Sequence, residues 1–350
     1  MKKILVIANF ANTYSGSFIA SLESFHKLYN TKIEIIYVFP ESSNQDYQKW
    51  MSEFSKNKKV IFIDFSESEF EKAINDTKPD ICWCHFLSVA PVTSLSFKHE
   101  STLFYFHAHG QLYFTNFQLL KLNIKKRRKP SNLHVICASK PLIKFFRPFT
   151  KHKNIHVVRN AVDFSRFNEN IASSKNGVAM FGYDWKIKGV DIACEAINYL
   201  REQYNLNVKL DIYCSKNIED SRGISAKFPN CDINVIYSSG NPTKVYKEHQ
   251  IFISPSRKEA FCYSIVESIY CGTPVIFSDI PEQRHNDEFS FKFKTQNPKS
   301  LATEMHKLLC NYDALTDGIE STKFKENLVK KYSLDEWSKD VYNWLLSNGK

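Results

Sequence analysis

The stretch Ser254–Asp279, SPSRKEAFCYSIVESIYCGTPVIFSD, holds the residue types and spacing most suited to chemistry. An apolar run ends at Ser254 and a turn carries Glu259. A helical pattern then starts near Cys262, carries Glu267 on its second turn and stops at Gly272 and Pro274. Amides at a helix start have no intrahelical partner and sit at the positive end of the dipole. Those near Phe261, Cys262 and Tyr263 therefore suit phosphate oxygens. Two carboxylates beside them, Glu259 and Glu267, suit a hydroxyl-rich ligand, because an ionised acid accepts from a sugar or ribose hydroxyl at about 1.5 to 3 kcal/mol per bond. In the plainer reading Glu259 is a capping residue and Glu267 is solvated.

Further candidates close other apolar runs. Gly16 follows ILVIANF, His107 and His109 end LFYFHAH, and Lys186 and Lys188 follow VAMFGY. Each also has an ordinary structural explanation: a tight turn at Gly16, a hydrogen-bonded histidine closing a strand at His109, a surface lysine beside Trp185 at Lys186.

The elements that must position these residues follow from periodicity. Seven apolar, β-branched runs separated by helical patterns (ILVIANF, IEIIYVF, VIFIDF, ICWCHF, LFYFHAH, HVICAS, HVVRNAV) fill the first half. Such runs describe parallel strands buried on both faces. The segment ENIASSKNG after Asn168 is small and polar, as a linker would be, and the alternation then restarts with VAMFGY, KLDIYC, INVIYS, IFISPS and PVIFSD. The fold class expected is α/β with two doubly wound domains, residues 1–168 and 169–332. A closing amphipathic helix in 333–350, opened by a capping box of Ser333 with Glu336, is expected to pack back on the first domain. Ligands of such sheets lie beyond the carboxyl ends of the strands, where the candidate residues fall, and two such edges facing each other would form a cleft.

Composition narrows the class. A chain of 350 residues with 43% hydrophobic and 14% aromatic residues is long enough for two packed cores and too apolar for disorder. No apolar run approaches the roughly 18 residues that span a bilayer, and the N-terminal MKKILVIANFAN reads as a strand rather than a signal peptide. Nine cysteines without a CxxC pair suit a reducing cytoplasm. Cys82 and Cys84 share a strand face but lack partners at metal-ligand spacing, so no metal site is expected. The net charge of +10 favours anionic partners. Its densest cluster is Lys121, Lys125, Lys126, Arg127, Arg128 and Lys129, which follows Tyr113, Phe114 and Phe117. That cluster is either a solvated helix end or a dock for an anionic membrane, where each basic residue contributes about 1 kcal/mol. Nucleic acid is not expected, because the aromatics are not interleaved with the basic residues.

Glu259 and Glu267, with seven residues between them and CGTPVI following, resemble the E-x7-E signature of glycosyltransferase family 4. Three more stretches resemble that family in the same order along the chain. They are FYFHAHG with His109 and Gly110, VVRNAVDFSRF with Asn160, Asp163 and Phe167, and MFGYDWKIKGVDIACEAI with Lys188, Gly189 and Asp191. The resemblance implies a GT-B fold and a retaining transfer of a hexose or N-acetylhexosamine from a UDP sugar to a cell-surface glycan or lipid-linked acceptor. Neither a cofactor nor a metal is implied, and the enzyme would be cytoplasmic, peripheral on the inner face of the membrane. By resemblance, Glu267 would bind ribose, and Glu259 with the amides of Phe261 and Cys262 would hold the sugar. Lys188 would neutralise the diphosphate, Gly16 would admit it closely, and His109 would contact the sugar or acceptor.

Three positions depart from the family pattern. Tyr183 stands where the family has Arg, leaving Lys186 as the replacement cation. Glu259-Ala260-Phe261-Cys262 replaces Glu-Gly-Phe-Gly, and Gly16 stands between Ser15 and Ser17 where a glycine pair is common. Two other classes stay open at this stage: a non-catalytic binding or stabilising subunit, and a nucleotide-sugar epimerase for which the His107–His109 pair would serve as acid and base.

Overall fold

The computed structural model describes residues 1–9, 16–109, 129–171, 174–214, 223, 226–237, 241–284 and 288–347. The chain divides into two compact units, Met1–Asp163 with Tyr332–Lys350, and Phe164–Lys331.

In the first unit the seven apolar runs form seven parallel strands: β1 (Lys2–Ala8), β2 (Ile33–Pro40), β3 (Lys59–Ile63), β4 (Ile81–His85), β5 (Leu103–Ala108), β6 (Leu133–Cys137) and β7 (Ile155–Val157). They lie in the order β3-β2-β1-β4-β5-β6-β7. The centre of β1, Ile4 to Ala8, has no exposed surface, which is why its run is apolar at every position rather than at alternate ones. Strand order reverses between β1 and β4, so the carboxyl ends of these two strands flank the switch point where such sheets bind ligands. Helix Gly16–Tyr29 presses Phe18, Leu22 and Phe25 into the core beside Trp83 and Tyr37.

The closing helix, Leu334–Ser347, belongs to this core. Its Trp337, Val341 and Leu345, spaced by four, are buried on one stripe, and Tyr342 stacks on Tyr29 with centroids 3.9 Å apart. Half of the expected capping box forms. Ser333 Oγ accepts the amides of Asp335 and Glu336 at 3.2 and 3.3 Å, while the Glu336 carboxylate pairs with Lys339 at 2.6 Å.

The second unit holds β8 (Val178–Phe181), β9 (Leu210–Cys214), β10 (Ile233–Tyr237), β11 (Ile251–Ser254), β12 (Val275–Ser278) and β13 (Ser290–Phe293). All are parallel, in the order β10-β9-β8-β11-β12-β13. Five of these six were expected, and the sixth, β13, is an edge strand of four residues whose only buried side chain is Phe293. The switch point here lies between β8 and β11. The junction between units falls at Asp163 and Phe164 because Phe164 and Phe167 pack on Tyr270, at 4.5 and 6.4 Å between centroids, as part of the second core.

Among the described residues no helix is long and apolar enough to cross a membrane. The cluster Lys121, Lys125, Lys126, Arg127 and Arg128 lies outside them. Its last member, Lys129, donates to the carbonyls of Arg147 and Thr150 at 2.6 and 3.3 Å.

Candidate active site

Around the switch point of the second unit, two loops are held against each other. After β8, Asp184 caps the single helical turn Trp185–Lys188 by accepting the Ile187 amide at 2.9 Å. Gly189 follows with φ +70°, and a Cβ there would lie 2.2 Å from the Pro255 carbonyl oxygen beyond β11. Only glycine combines that backbone with that approach. The Arg257 amide donates to the Ile187 carbonyl at 2.8 Å, which fixes the register of the two loops.

This packing brings Lys188 to Glu259. Lys188 Nζ lies 2.6 Å from Glu259 Oε1, which also accepts from Ser256 Oγ at 2.8 Å. The side chains are 29% and 11% exposed. Burial works against the Lys188 charge, but the Glu259 carboxylate outweighs it and holds the lysine pKa above its ordinary value. An ammonium has three N–H donors. One is committed to Glu259, so the cation can serve a phosphate without breaking the pair.

Helix Tyr263–Tyr270 starts where the sequence places it, with Cys262 as its N-cap residue. Phe261 and Cys262 are both buried, and the Cys262 sulfur lies 3.3 Å from Ser254 Oγ and 3.2 Å from Ser264 Oγ. Burial, and next the Glu259 charge, push this thiol pKa up. Glu267 is only 8% exposed, which removes the plainer reading of a solvated carboxylate. Its Oε2 accepts the Tyr246 hydroxyl at 2.8 Å. Burial raises its pKa, with the Tyr246 hydroxyl and Arg166 opposing.

The structure places Lys186 differently from Lys188. It is exposed, and two residues from Lys188 on a helical turn it does not share that residue's face. Its carbonyl instead accepts from Arg257, whose guanidinium forks onto Asp191 at 2.8 and 2.6 Å. That fork holds the Asp191 carboxyl below the usual carboxylate range. Tyr183 stacks on Phe181 with centroids 5.4 Å apart. Sequence reasoning missed Tyr246 and the Arg257–Asp191 fork. Asp191 stood inside a quoted motif and could have suggested a partner, whereas nothing near Tyr246 marks it.

In the first unit the carboxyl ends of β4 and β5 carry a histidine cluster. Parallel pairing sets His85 beside His107, and His109 follows one residue beyond β5. His85 Nδ1 and His109 Nε2 are 3.1 Å apart, and the His107 and His109 rings stack at 4.7 Å with 6° between planes. Phe18 and Phe86 lie 4.4 and 4.0 Å from the His109 ring, and Trp83 lies 4.4 Å from His85. Burial pushes the pKa of His107 down to about 3 and those of His85 and His109 well below their ordinary value, so all three rings are neutral near pH 7. His85 was missed because ICWCH reads as plain core. Gly16 is the first residue of the helix that carries Phe18, and residues 10–15 before it lie outside the described ones.

Residues 175–311 match the family model for glycosyl transferases group 1. The match falls within the second unit, Phe164–Lys331. Among solved structures, the chain is similar to a glycosyltransferase from Rickettsia africae, with a TM-score of 0.75 at 16% identity over 99% of both chains. It is similar to Anabaena HepE in complex with UDP and glucose, with a TM-score of 0.75 at 13% identity, covering 99% of this chain and 100% of that one. It is also similar to S. aureus TarM in complex with fondaparinux, alpha-GlcNAc-glycerol and UDP, with a TM-score of 0.70 at 13% identity and the same coverage. The chain therefore has the GT-B fold of two Rossmann-like domains. A search of curated protein sequences finds no significant match.

Proposed function

We propose that this chain is a retaining glycosyltransferase that moves a hexose or N-acetylhexosamine from a UDP sugar to a cell-surface glycan or lipid-linked acceptor, without a metal ion. The observation that carries the reading is the Lys188–Glu259 pair, in one unit with the buried Glu267, at the switch point of a domain matching group 1 glycosyltransferases. The complexes of HepE with UDP and glucose and of TarM with UDP and alpha-GlcNAc-glycerol support the donor and acceptor classes.

In this reading Glu267 accepts a ribose hydroxyl through Oε1, which takes no hydrogen bond from a described residue, and Glu259 with the amides of Phe261 and Cys262 holds the sugar. Lys188 stabilises the negative charge that grows on the diphosphate as the glycosidic bond breaks, the kind of electrostatic term that often dominates such sites. The acceptor oxygen bonds to the anomeric carbon on the face the diphosphate leaves. The acceptor proton passes to a departing phosphate oxygen, and UDP is released. His109 contributes a hydrogen bond to the sugar or acceptor through Nδ1, the ring nitrogen that does not face His85. Gly16 lets the backbone approach the phosphates, and Lys186 acts at longer range as an exposed cation. The basic run Lys121 to Lys129 holds the enzyme to the anionic inner face of the membrane.

An epimerase working through the histidines is disfavoured, because an acid–base group needs a pKa near the working pH and that of His107 is pushed down to about 3. The test is product analysis with a panel of UDP sugars and glycan or lipid-linked acceptors. The expected result is stoichiometric UDP release and a linkage of the donor's anomeric configuration, at a rate EDTA does not lower. An isomerised donor without transfer would overturn the reading, as would no turnover, and loss in EDTA with rescue by manganese would overturn its metal independence.

A further inference from the structure

The histidine cluster of the first unit presents more nitrogen lone pairs than the protein uses. His85 and His107 have essentially no exposed surface, and His85 Nε2 and both ring nitrogens of His107 find no hydrogen-bond partner among the described residues. Buried polar atoms of this kind ordinarily find one. One nitrogen from each of His85, His107 and His109 lies within 4.8 Å of the other two. Two imidazole nitrogens bound to the same tetrahedral zinc ion at its usual bond length are separated by about 3.3 Å. His85 Nδ1 and His109 Nε2 share a hydrogen bond at 3.1 Å, close to that spacing, and a bound ion would take the place of that bond, with one ring moving its proton to its other nitrogen. Two neighbouring strand ends, those of β4 and β5, therefore converge three imidazoles in an aromatic surround of Phe18, Trp83, Phe86 and Trp337.

We propose that His85, His107 and His109 form a binding site for one divalent transition-metal cation of the zinc class. An all-imidazole set selects zinc, copper or nickel over magnesium and calcium, which take oxygen ligands. A neutral imidazole offers one lone pair and keeps one N–H, so each ring binds the ion in the tautomer that turns its bare nitrogen inward. His109, the partly exposed member, is the point of entry. The sequence alone argued against a metal because it offered only Cys82 and Cys84. The third ligand appears when β4 is laid beside β5. The site lies outside the donor-holding residues of the second unit, and its test needs no turnover.

The experiment is titration of tag-free protein with cobalt(II), followed by its visible absorption and by calorimetry. A Cys310→Ser background removes the exposed thiol, 3.4 Å from His306, that offers a competing site. The expected result is uptake of one equivalent with visible bands but no thiolate-to-metal charge transfer, displacement by zinc, and at least tenfold weaker binding in His107→Gln and His109→Gln. Unfolding curves of the metal-free variants show whether they fold. His109→Gln, at the least buried position, decides the matter if His107→Gln does not. No uptake by the Cys310→Ser protein would overturn the proposal, as would a charge-transfer band or unchanged affinity in folded His109→Gln.

Discussion

Glu267 accepts the Tyr246 hydroxyl in a buried setting that raises its pKa, so the fold sets a carboxylate where its charge is disfavoured. Glu267→Gln keeps an acceptor for Tyr246 and removes the charge. Donor kcat/KM should fall about 10- to 100-fold, matching roughly 1.5 to 3 kcal/mol for a charged hydrogen bond. Its effect on stability runs the other way. A folded-state pKa raised above 4.5 contributes stability that is present below that pH and lost as pH rises through the folded value. The Gln variant escapes this loss, so denaturant titrations from pH 4 to 8 should show its stability improving relative to wild type as pH rises. Lys188→Met, which keeps the stem and loses the cation, should lower kcat about 100- to 1000-fold and barely move Tm, since the pair is partly exposed. Equal kcat in variant and wild type would remove Lys188 from the reaction. Glu259 and Glu267 were legible in the sequence because their spacing is local to one turn and one helix. Their partners Ser256, Lys188 and Tyr246 divide along the same line: Ser256 is adjacent, Lys188 needed a motif, and Tyr246 arrives from a helix with no local mark.

Strands were legible wherever a sheet buries both faces of an element, because every residue in the run is then apolar, as in β1. The edge strand β13 was not, since Lys292 is exposed and only Phe293 is buried. Gly189 shows an element boundary with a steric cause. Gly189→Ala would strain a backbone at φ +70° and meet the Pro255 carbonyl, so both Tm and activity should fall, at a cost of about 1 to 3 kcal/mol. The closing helix is fixed to the first unit by Trp337, fully packed beside Trp83 and Phe18, and Trp337→Ala should destabilise that unit by about 3 to 5 kcal/mol. Near the other end of this helix, His156 stacks on Trp344 at 3.9 Å and lies 3.1 Å from His134, with both pKa values lowered to about 4 by burial. A histidine pKa depressed in the folded state gives stability that is intact above the unfolded value of 6.5 and drains away as pH falls toward 4. Thermal scans should therefore show Tm dropping across that interval, and less steeply in His134→Gln/His156→Gln.

For the whole molecule, the division into two units was readable from the restart of the strand pattern, whereas the polar segment 169–177, expected as the linker, lies inside the second unit, where Glu169 accepts hydrogen bonds from Asn241 and Lys247. The junction itself was misplaced by a few residues, because Phe164 and Phe167 look like a continuation of the first half until Tyr246 and Tyr270 are seen against them. The charge of +10 would suit the diphosphate-bearing donor proposed above, and donor affinity should then weaken as salt rises. Binding that favours the folded state raises stability as ln(1 + [L]/Kd), about 2.7 kcal/mol at a hundredfold excess over Kd. The central claim, a UDP-sugar site built on Lys188, Glu259 and Glu267, is therefore tested most directly by the melting temperature of the purified protein against a panel of nucleotides and nucleotide sugars. The expected result is a concentration-dependent rise with UDP and its sugars that Lys188→Met loses. No rise with any member of the panel would contradict it and leave a non-catalytic role as the better reading.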